Sequence, residues 1–455
     1  MLNRVLIANR GEAAVRLIRA CHDLGMEAVA VYSTADREGL WVTQADRAVC
    51  IGSHLAASSY LNVANLIGAA EITGCDAVHP GWGFLAENAD FVRACTDNDL
   101  VFVGPPAGAI ELMGDKSRAK LAMREAGVPL VPGSDGRLAD AAEAARLAES
   151  VGYPVLLKAV AGGGGRGMRL VDSPALLDDA YRLASAEAEA SFGDPGMYLE
   201  KAIVGPRHVE MQVLADASGG VLVVGERDCS IQRRHQKLIE EGPSPALDEA
   251  TRQAMADAAR RACAGCGYVN AGTVEFLLDA GGGFYFIEMN TRLQVEHPVS
   301  ELISGIDLAV EQLHIAGGDP LPATGLAALR GHAIEFRINS EDPRQDFRPA
   351  AGAVTRFRPA LGPGVRLDTH LYEGYTVPPF YDSLLAKLIV WGSDREQALA
   401  RAGRALRELE IEGVHTTREL FADIVREPRF VAGTYSTAYL EDARDDLPAL
   451  GVQAA

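Results

Sequence analysis

Basic residues are in short supply. Lysine and arginine number 43 against 62 aspartates and glutamates, a net charge of −19. A surface of that sign repels polyanions, which argues against general nucleic-acid binding and against an anionic membrane surface. Long apolar runs are missing too: none approaches the roughly 18 residues that cross a bilayer. Met1-Leu-Asn-Arg-Val-Leu-Ile-Ala8 passes straight into a strand pattern without a secretory apolar segment, so the expected location is cytoplasmic. Cysteine is sparse and odd in number, seven in all, which fits reduced thiols rather than a disulfide framework. Cys263 and Cys266 form one isolated C-x-x-C at the end of a predicted helix from Ala250, and they read as packing thiols. Two nucleotide signatures are lacking. The first strand–helix turn carries only Gly11, so the dinucleotide fingerprint is missing, and Asp115 interrupts a Walker pattern in Gly114-Asp-Lys-Ser117.

What is present needs more than one core, because 455 residues exceed what a single core supports, and two to four compact units are expected. Val5-Leu-Ile-Ala8 reads as a buried strand leading through Asn9-Arg-Gly-Glu12 into a helix with Ala14, Leu17, Ile18, Cys21 and Leu24 on one face. Strands at Glu27–Tyr32, Ala77–Val78 and Val101–Val103 continue the alternation, so residues 1–113 should form a Rossmann-like parallel sheet. Residues 114–330 should form a second α/β domain, with a smaller α/β unit at about 130–204 set off by Val128-Pro-Leu-Val-Pro-Gly133. Val299 to Ile315 reads as helical. A last α+β domain, 331–446, opens with a strand at Ala333–Ile338 and carries a helix near Asp394–Glu410.

Two segments carry chemistry. Gly272-Thr-Val-Glu-Phe-Leu-Leu278 and Phe284-Tyr-Phe-Ile-Glu-Met-Asn290 alternate like strands and flank the turn Asp279-Ala-Gly-Gly-Gly283. A register symmetric about Gly281–Gly282 would set Glu275 opposite Glu288, with Asn290 on the same face as Glu288. Two carboxylates about 5 Å apart repel by roughly 3 kcal/mol at an effective dielectric near 20, so a cation between them is the natural reason to keep both. Two carboxylates and an amide oxygen are hard donors, suited to Mg²⁺ or Mn²⁺. The second segment, Ala161-Gly-Gly-Gly-Gly-Arg-Gly167, joins strand to strand, so it reads as a hairpin flap whose N–H groups can wrap phosphates, with Lys158 supplying a cation.

A glycine flap, a strand lysine and an acidic metal hairpin together resemble an ATP-grasp ligase. The likeness narrows to the biotin carboxylase family over Ile7-Ala-Asn-Arg-Gly-Glu12, His79 to Asn88, Met113-Gly-Asp-Lys116, Glu226 to Lys237, Glu288 to Pro298 and Gly374 to Ser383. That resemblance implies an α+β ATP-grasp fold and ATP-dependent carboxylation of carrier-linked biotin with bicarbonate. It implies ATP-phosphate roles for Lys116, Lys158, His208, Gly164 and Gly165, an adenine lining from Glu200, Lys201 and Ile203, and ribose contacts from Gln232 and His235. Glu275, Glu288 and Asn290 would hold Mg²⁺ or Mn²⁺. Lys237, Arg292, Gln294, Val295 and Glu296 would form the bicarbonate pocket, with Glu296 as base. Arg337 would face the biotin ureido group, and Trp82, where the bacterial motif usually has tyrosine, would border biotin. On spacing alone Arg292 and Glu296 could be a helical ion pair, a reading that the surrounding motif overrules.

No Met-Lys-Met biotinylation motif occurs in the sequence. The expected partners are therefore a separate biotin carboxyl carrier protein and one or more carboxyltransferase subunits, with a homodimer as the expected assembly. The chain reads as a stand-alone subunit or a fragment of a longer polypeptide. Acetyl-CoA, another acyl-CoA and pyruvate all remain open as final carboxyl acceptors. The rivals to this assignment are another ATP-grasp ligase and a catalytically silent ATP-binding regulator; retention of every expected ligand argues against the second.

Overall fold

Val5, Leu6 and Ile7 have no exposed surface, as expected of a strand covered on both faces. In the computed structural model, which describes residues 2–160 and 167–451, that strand (Arg4–Ile7, β1) is the centre of a parallel sheet. Its companions are Glu27–Ser33 (β2), Arg47–Gly52 (β3), Ala77–His79 (β4) and Val101–Phe102 (β5), in the order β3-β2-β1-β4-β5. The order reverses at β1, so the loops leaving β1 and β4 open at the switch point where such sheets bind ligands. These are the loops that contain Asn9–Glu12 and Trp82.

The described chain divides into two compact units. The first holds Met1–Gly127, Arg207–Phe276 and Glu288–Ala455. Its second sheet runs in the order Phe284–Asn290, Asn270–Leu278, Arg207–Ala215, Val221–Arg233, Gln236–Gly242, His332–Asn339, Leu384–Gly392, Val365–Thr369. The strand that opens the expected last domain thus pairs antiparallel with Gln236–Gly242 in a continuous sheet. Helix Arg395–Glu408, capped by Asp394, buries Ala398, Ala402, Ala405 and Leu406. The stretch from Val299 to Ile315 is helical as expected, in two pieces, His297–Ser304 and Leu308–Ala316. Gly305 stops the first in a left-handed conformation (φ 77°), and the Asp307 side chain caps the second. Among the described residues no helix is long and apolar enough to cross a membrane. Cys263 and Cys266 are free thiols, with the Cys266 thiol on the Cys263 carbonyl at 3.6 Å.

A buried ionic knot braces this unit. Glu241 accepts from Arg395 at 2.7 and 3.0 Å, sits 2.5 Å from His332 Nε2, and also accepts from the Tyr435 hydroxyl. Burial would raise its carboxyl, but His332 and Arg395 overcome that and hold it at about 2 instead of the usual 4.5. A depressed carboxylate contributes stability above its unfolded pKa and loses it as pH falls through the folded one. Glu241 should therefore contribute about 3 kcal/mol near neutrality. That contribution should fade between pH 4.5 and about 2. Glu241→Gln should flatten the stability loss in that window in denaturant titrations; identical pH slopes for variant and parent would refute the assignment.

The second unit comprises Val128–Pro206 and Leu277–Ile287. A three-stranded antiparallel sheet, in the order Met168–Val171, Val155–Ala159, Met197–Lys201, is backed by helices Ala141–Val151 and Pro174–Phe192. Alanines 144, 148, 180, 184 and 188 let these helices pack closely. The expected phosphate-binding glycines Gly164 and Gly165 lie outside the described residues. The turn Asp279–Gly283 departs from the symmetric register. Asp279 N–H donates to Gly283 at 2.8 Å and Gly282 N–H to Asp279 at 3.1 Å, so the turn centres on Gly281. The Asp279 carboxylate selects this geometry by accepting from the N–H groups of Gly281 and Gly283, both at 2.8 Å, while Gly282 takes φ 84°.

Candidate active site

Strand Arg207–Ala215 is buried along its whole length, yet His208, Glu210 and Gln212 alternate on it. The alternation puts three polar side chains on one face, and each finds a partner from a neighbouring strand. Arg227 uses all of its donor directions. Nε donates to Glu210 at 2.6 Å, Nη1 to Gln212 at 2.7 Å and Ser300 at 2.8 Å, and Nη2 to Gln294 at 3.0 Å and Thr273 at 3.2 Å. Lys237 donates to three carboxylates: Glu210 at 2.6 Å, Glu296 at 2.7 Å and Glu275 at 2.8 Å. Burial would lower its pKa, but those carboxylates hold it well above the ordinary lysine value.

Glu296 is gripped from both sides. One oxygen takes Lys237, and the other accepts from Arg337 Nη2 at 2.8 Å, while Arg337 Nε donates to Glu240 at 2.6 Å. Burial works to raise the Glu296 carboxyl, yet Lys237 and Arg337 keep it below the usual range, so it stands ionised, the form a general base needs, although the same cations weaken its basicity. Glu275 accepts from Lys237, from Asn290 Nδ2 at 2.8 Å and from Gln294 Nε2 at 2.9 Å, and lies 2.9 Å from His208 Nε2.

The loop from Asn290 to Glu296 is tied down along its length. Glu87 accepts from the Thr291 N–H at 3.0 Å and from Arg292 Nε at 2.8 Å. Arg292 Nη2 donates to Asn290 Oδ1 at 3.1 Å. Lys387 Nζ donates to the Val295 carbonyl at 3.0 Å, and the His297 ring meets the Gln294 carbonyl at 2.8 Å. The helical pair of Arg292 with Glu296 does not form. Arg292 precedes the helix and binds Glu87, and Glu296 is the residue before the first helical turn.

Glu288 stands exposed on the strand that ends at Asn290. Although its surface is open, partial desolvation by the surrounding chain raises its carboxyl, and the Glu275 charge adds to that while Lys116 opposes it. Lys116 is an exposed first residue of helix Lys116–Glu125, whose cap Asp115 accepts from the N–H groups of Ser117 and Arg118. The ligand atoms of His208, Glu210 and Glu275 lie within 4.8 Å of one another, a group that does not include Glu288. Glu275 and Glu288, two carboxylates whose charges repel, fit a hard divalent cation, while the Asn290 amide turns its nitrogen to Glu275 and its oxygen to Arg292. Gln232 pairs with Lys237 in register, and the hairpin turns at Arg234 and His235, both at positive φ (49° and 65°). Two non-glycine residues in this region are strained by roughly 1–2 kcal/mol each, a form of strain that clusters at functional sites. Trp82 lies between Gly81 and Gly83, both at positive φ, and its ring is 5.4 Å from that of His297.

In the second unit, Lys158 forms a short ion pair with Glu200 on the adjacent strand. Lys201 Nζ donates to the carbonyls of Gly152 and Tyr153, each at 2.9 Å, and Ile203 is half-buried.

Sequence inspection missed Glu87, Glu210, Arg227, Glu240 and Lys387. The alternation His208, Glu210, Gln212 was a usable signal, as polar residues at period two on an otherwise apolar strand.

Three family profiles match the chain: "Biotin carboxylase, N-terminal domain" over residues 1–110, "Carbamoyl-phosphate synthase L chain, ATP binding domain" over 115–324, and "Biotin carboxylase C-terminal domain" over 335–442. A biotin carboxylase of Nostoc sp. is 54% identical over 441 residues, covering 97% of this chain and 99% of its own. The crystal structure of a biotin carboxylase–β,γ-ATP complex from Campylobacter jejuni superposes with a TM-score of 0.90 at 49% identity, covering 97% of this chain and 99% of that one. The biotin carboxylase domain of a Hydrogenobacter thermophilus 2-oxoglutarate carboxylase, a dimer with MgADP, ADP and bicarbonate, superposes with a TM-score of 0.89 at 46% identity, covering 98% of each chain.

Proposed function

The chain belongs to the biotin carboxylase family, and from that premise we propose how its own residues divide the work. It is an ATP-grasp ligase that uses ATP, Mg²⁺ and bicarbonate to carboxylate biotin. The observation that carries the residue assignment is the Glu296 carboxylate held between Lys237 and Arg337. Bicarbonate is a planar oxyanion, matched by the Arg292 guanidinium fork, Gln294, the Val295 N–H and Lys237. Glu296 takes its proton, and the freed oxygen attacks the γ-phosphate of ATP, giving carboxyphosphate and ADP.

Lys116, Lys158, His208, Gly164 and Gly165 are assigned to the phosphates. Glu200, Lys201 and Ile203 are assigned to the adenine, and Gln232 and His235 to the ribose. Glu275, Glu288 and Asn290 would hold Mg²⁺, or Mn²⁺, which when bound neutralises phosphate charge. Carboxyphosphate breaks to CO₂ and phosphate, phosphate removes the biotin N1′ proton, and N1′ attacks CO₂. Arg337 stabilises the enolate-like ureido oxygen formed on the way, and Trp82 borders the biotin ring. The biotin arrives on a separate carrier protein, the carboxylated product goes to a carboxyltransferase that selects an acyl-CoA or keto-acid acceptor, and the chain pairs as a homodimer. We retain residues 1–113, 114–330 and 331–446 as the functional division.

Purified protein given Mg-ATP and bicarbonate should release ADP slowly, and free biotin should accelerate that release. Folded, ATP-binding protein with no biotin effect would overturn the assignment and favour another ATP-grasp ligase.

A further inference from the structure

Lys387 lies at the middle of strand Leu384–Gly392, paired in register with Arg337 on one side and Asp368 on the other. It has no exposed surface. Its ammonium donates to the Val295 carbonyl at 3.0 Å, sits 4.7 Å from the centre of the Trp82 ring and lies 3.2 Å from the Glu12 carboxylate. Asp368 is more distant, at 3.9 Å. Burying an ammonium costs several kcal/mol, and a buried ion pair often stabilises no better than well-packed apolar side chains. Stability is therefore a poor explanation for a lysine here. Its three partners come from three separate parts of the chain: the loop after Asn290, the loop after strand β4, and the first helix.

The loop from Asn290 to Glu296 is tied by Glu87 at Thr291 and Arg292 and by His297 at the Gln294 carbonyl, and Lys387 adds the bond at the Val295 carbonyl. The Trp82 loop is held through its backbone, where Asn9 Nδ2 donates to the carbonyls of Pro80 at 2.7 Å and Trp82 at 2.8 Å. That fixes the main chain and leaves the indole to be oriented by what lies against it, the Lys387 ammonium, the His297 ring and the neighbouring apolar core side chains. Glu12 is buried, and burial pushes its carboxyl up to about 7 while Lys387 opposes the rise. Val295 stands between Gln294 and Glu296, so a shift of its peptide moves both.

We infer that Lys387 is a positioning residue, one ammonium that sets the Val295 segment of the bicarbonate pocket and the indole of Trp82 against each other. The inference rests on the proposed roles of the bicarbonate and biotin residues. It makes the order of the two half-sites a single geometric event: the side chain that aims the bicarbonate loop also aims the biotin wall.

Lys387→Met keeps the length of the side chain and removes the charge and the donor. It should raise the KM for bicarbonate about tenfold and the KM for biotin by a similar factor, because small misplacements of reacting groups are costly. ATP affinity, measured by calorimetry, should stay within about twofold. The chain has three tryptophans, Trp41, Trp82 and Trp391, so Trp82 emission can be isolated in a Trp41→Phe, Trp391→Phe background. There Lys387→Met should shift the emission. An unchanged bicarbonate KM, or a loss of ATP affinity in parallel, would overturn the proposal. Should Lys387→Met fail to fold, Glu12→Gln decides: it should raise the bicarbonate KM about threefold at constant ATP affinity, and no rise would overturn it. Biotin-stimulated ADP release by the parent protein, run alongside, separates failure here from failure of the underlying assignment.

Discussion

Arg337→Ala should lower biotin carboxylation by about 100-fold or more while leaving ATP binding nearly intact, since one preorganised donor on a developing oxyanion is typically worth about 3 kcal/mol. The structure adds a second reason for a large effect. Arg337 also neutralises Glu240 and Glu296, donating to them at 2.6 and 2.8 Å. Without it Glu296 keeps Lys237 and the Arg227 charge, its carboxyl rises, and one of its oxygens loses the donor that fixes its orientation. Arg337→Ala should therefore also slow the biotin-independent release of ADP, but by less than it slows carboxylation, because Lys237 and Arg292 remain. Single-turnover transfer of labelled bicarbonate to free biotin, compared with ADP release in its absence, measures the two separately. Retained carboxylation would remove Arg337 from its role, and equal losses in both assays would reduce it to a support for Glu296.

How much of this could be read from residues alone depends on how local each interaction is. The metal hairpin could be suggested from the residues themselves, Glu275 against Glu288 and Asn290, whereas the bicarbonate and base roles of Lys237, Arg292, Gln294, Val295 and Glu296 came through the resemblance of the surrounding motif. Arg337 was reached only through the resemblance of its surroundings. The alternation around Glu210 marks a polar face but not its partner, and Arg227 gave no signal, because the pairing comes from strand order: Arg207–Ala215 and Val221–Arg233 are neighbours only in the folded sheet. Two arrangements that regular geometry allows do not occur: the helical pair of Arg292 with Glu296, which the surrounding motif already argued against, and a turn centred between Gly281 and Gly282. In both, an acidic side chain imposes a different local solution. Glu87 takes Arg292 before the helix begins, and Asp279 draws the turn onto itself.

Lys237→Met should be the most destabilising single change in the active site. The ammonium is the common partner of Glu210, Glu275 and Glu296, at 2.6, 2.8 and 2.7 Å. Removing one member of a buried ion pair costs about 3–5 kcal/mol, because the remaining charge is left without compensation. Here three carboxylates lose the same cation, although Glu210 keeps Arg227, Glu296 keeps Arg337, and Glu275 keeps Asn290 and Gln294. The penalty should therefore fall near that range and not at three times it.

The penalty should also depend on pH with a definite sign. Lys237 contributes to holding the Glu275 and Glu296 carboxyls below their usual range. In Lys237→Met both rise, so mild acid can protonate them and relieve the repulsion. The stability gap between parent and variant should be widest near neutrality and should narrow as pH falls toward about 5, the upper end of the range over which depressed carboxylates give up their contribution. Urea titrations across that interval test the point. A gap that is constant with pH would mean that the lost stability is packing around the lysine stem, and that the three carboxylates do not depend on its charge.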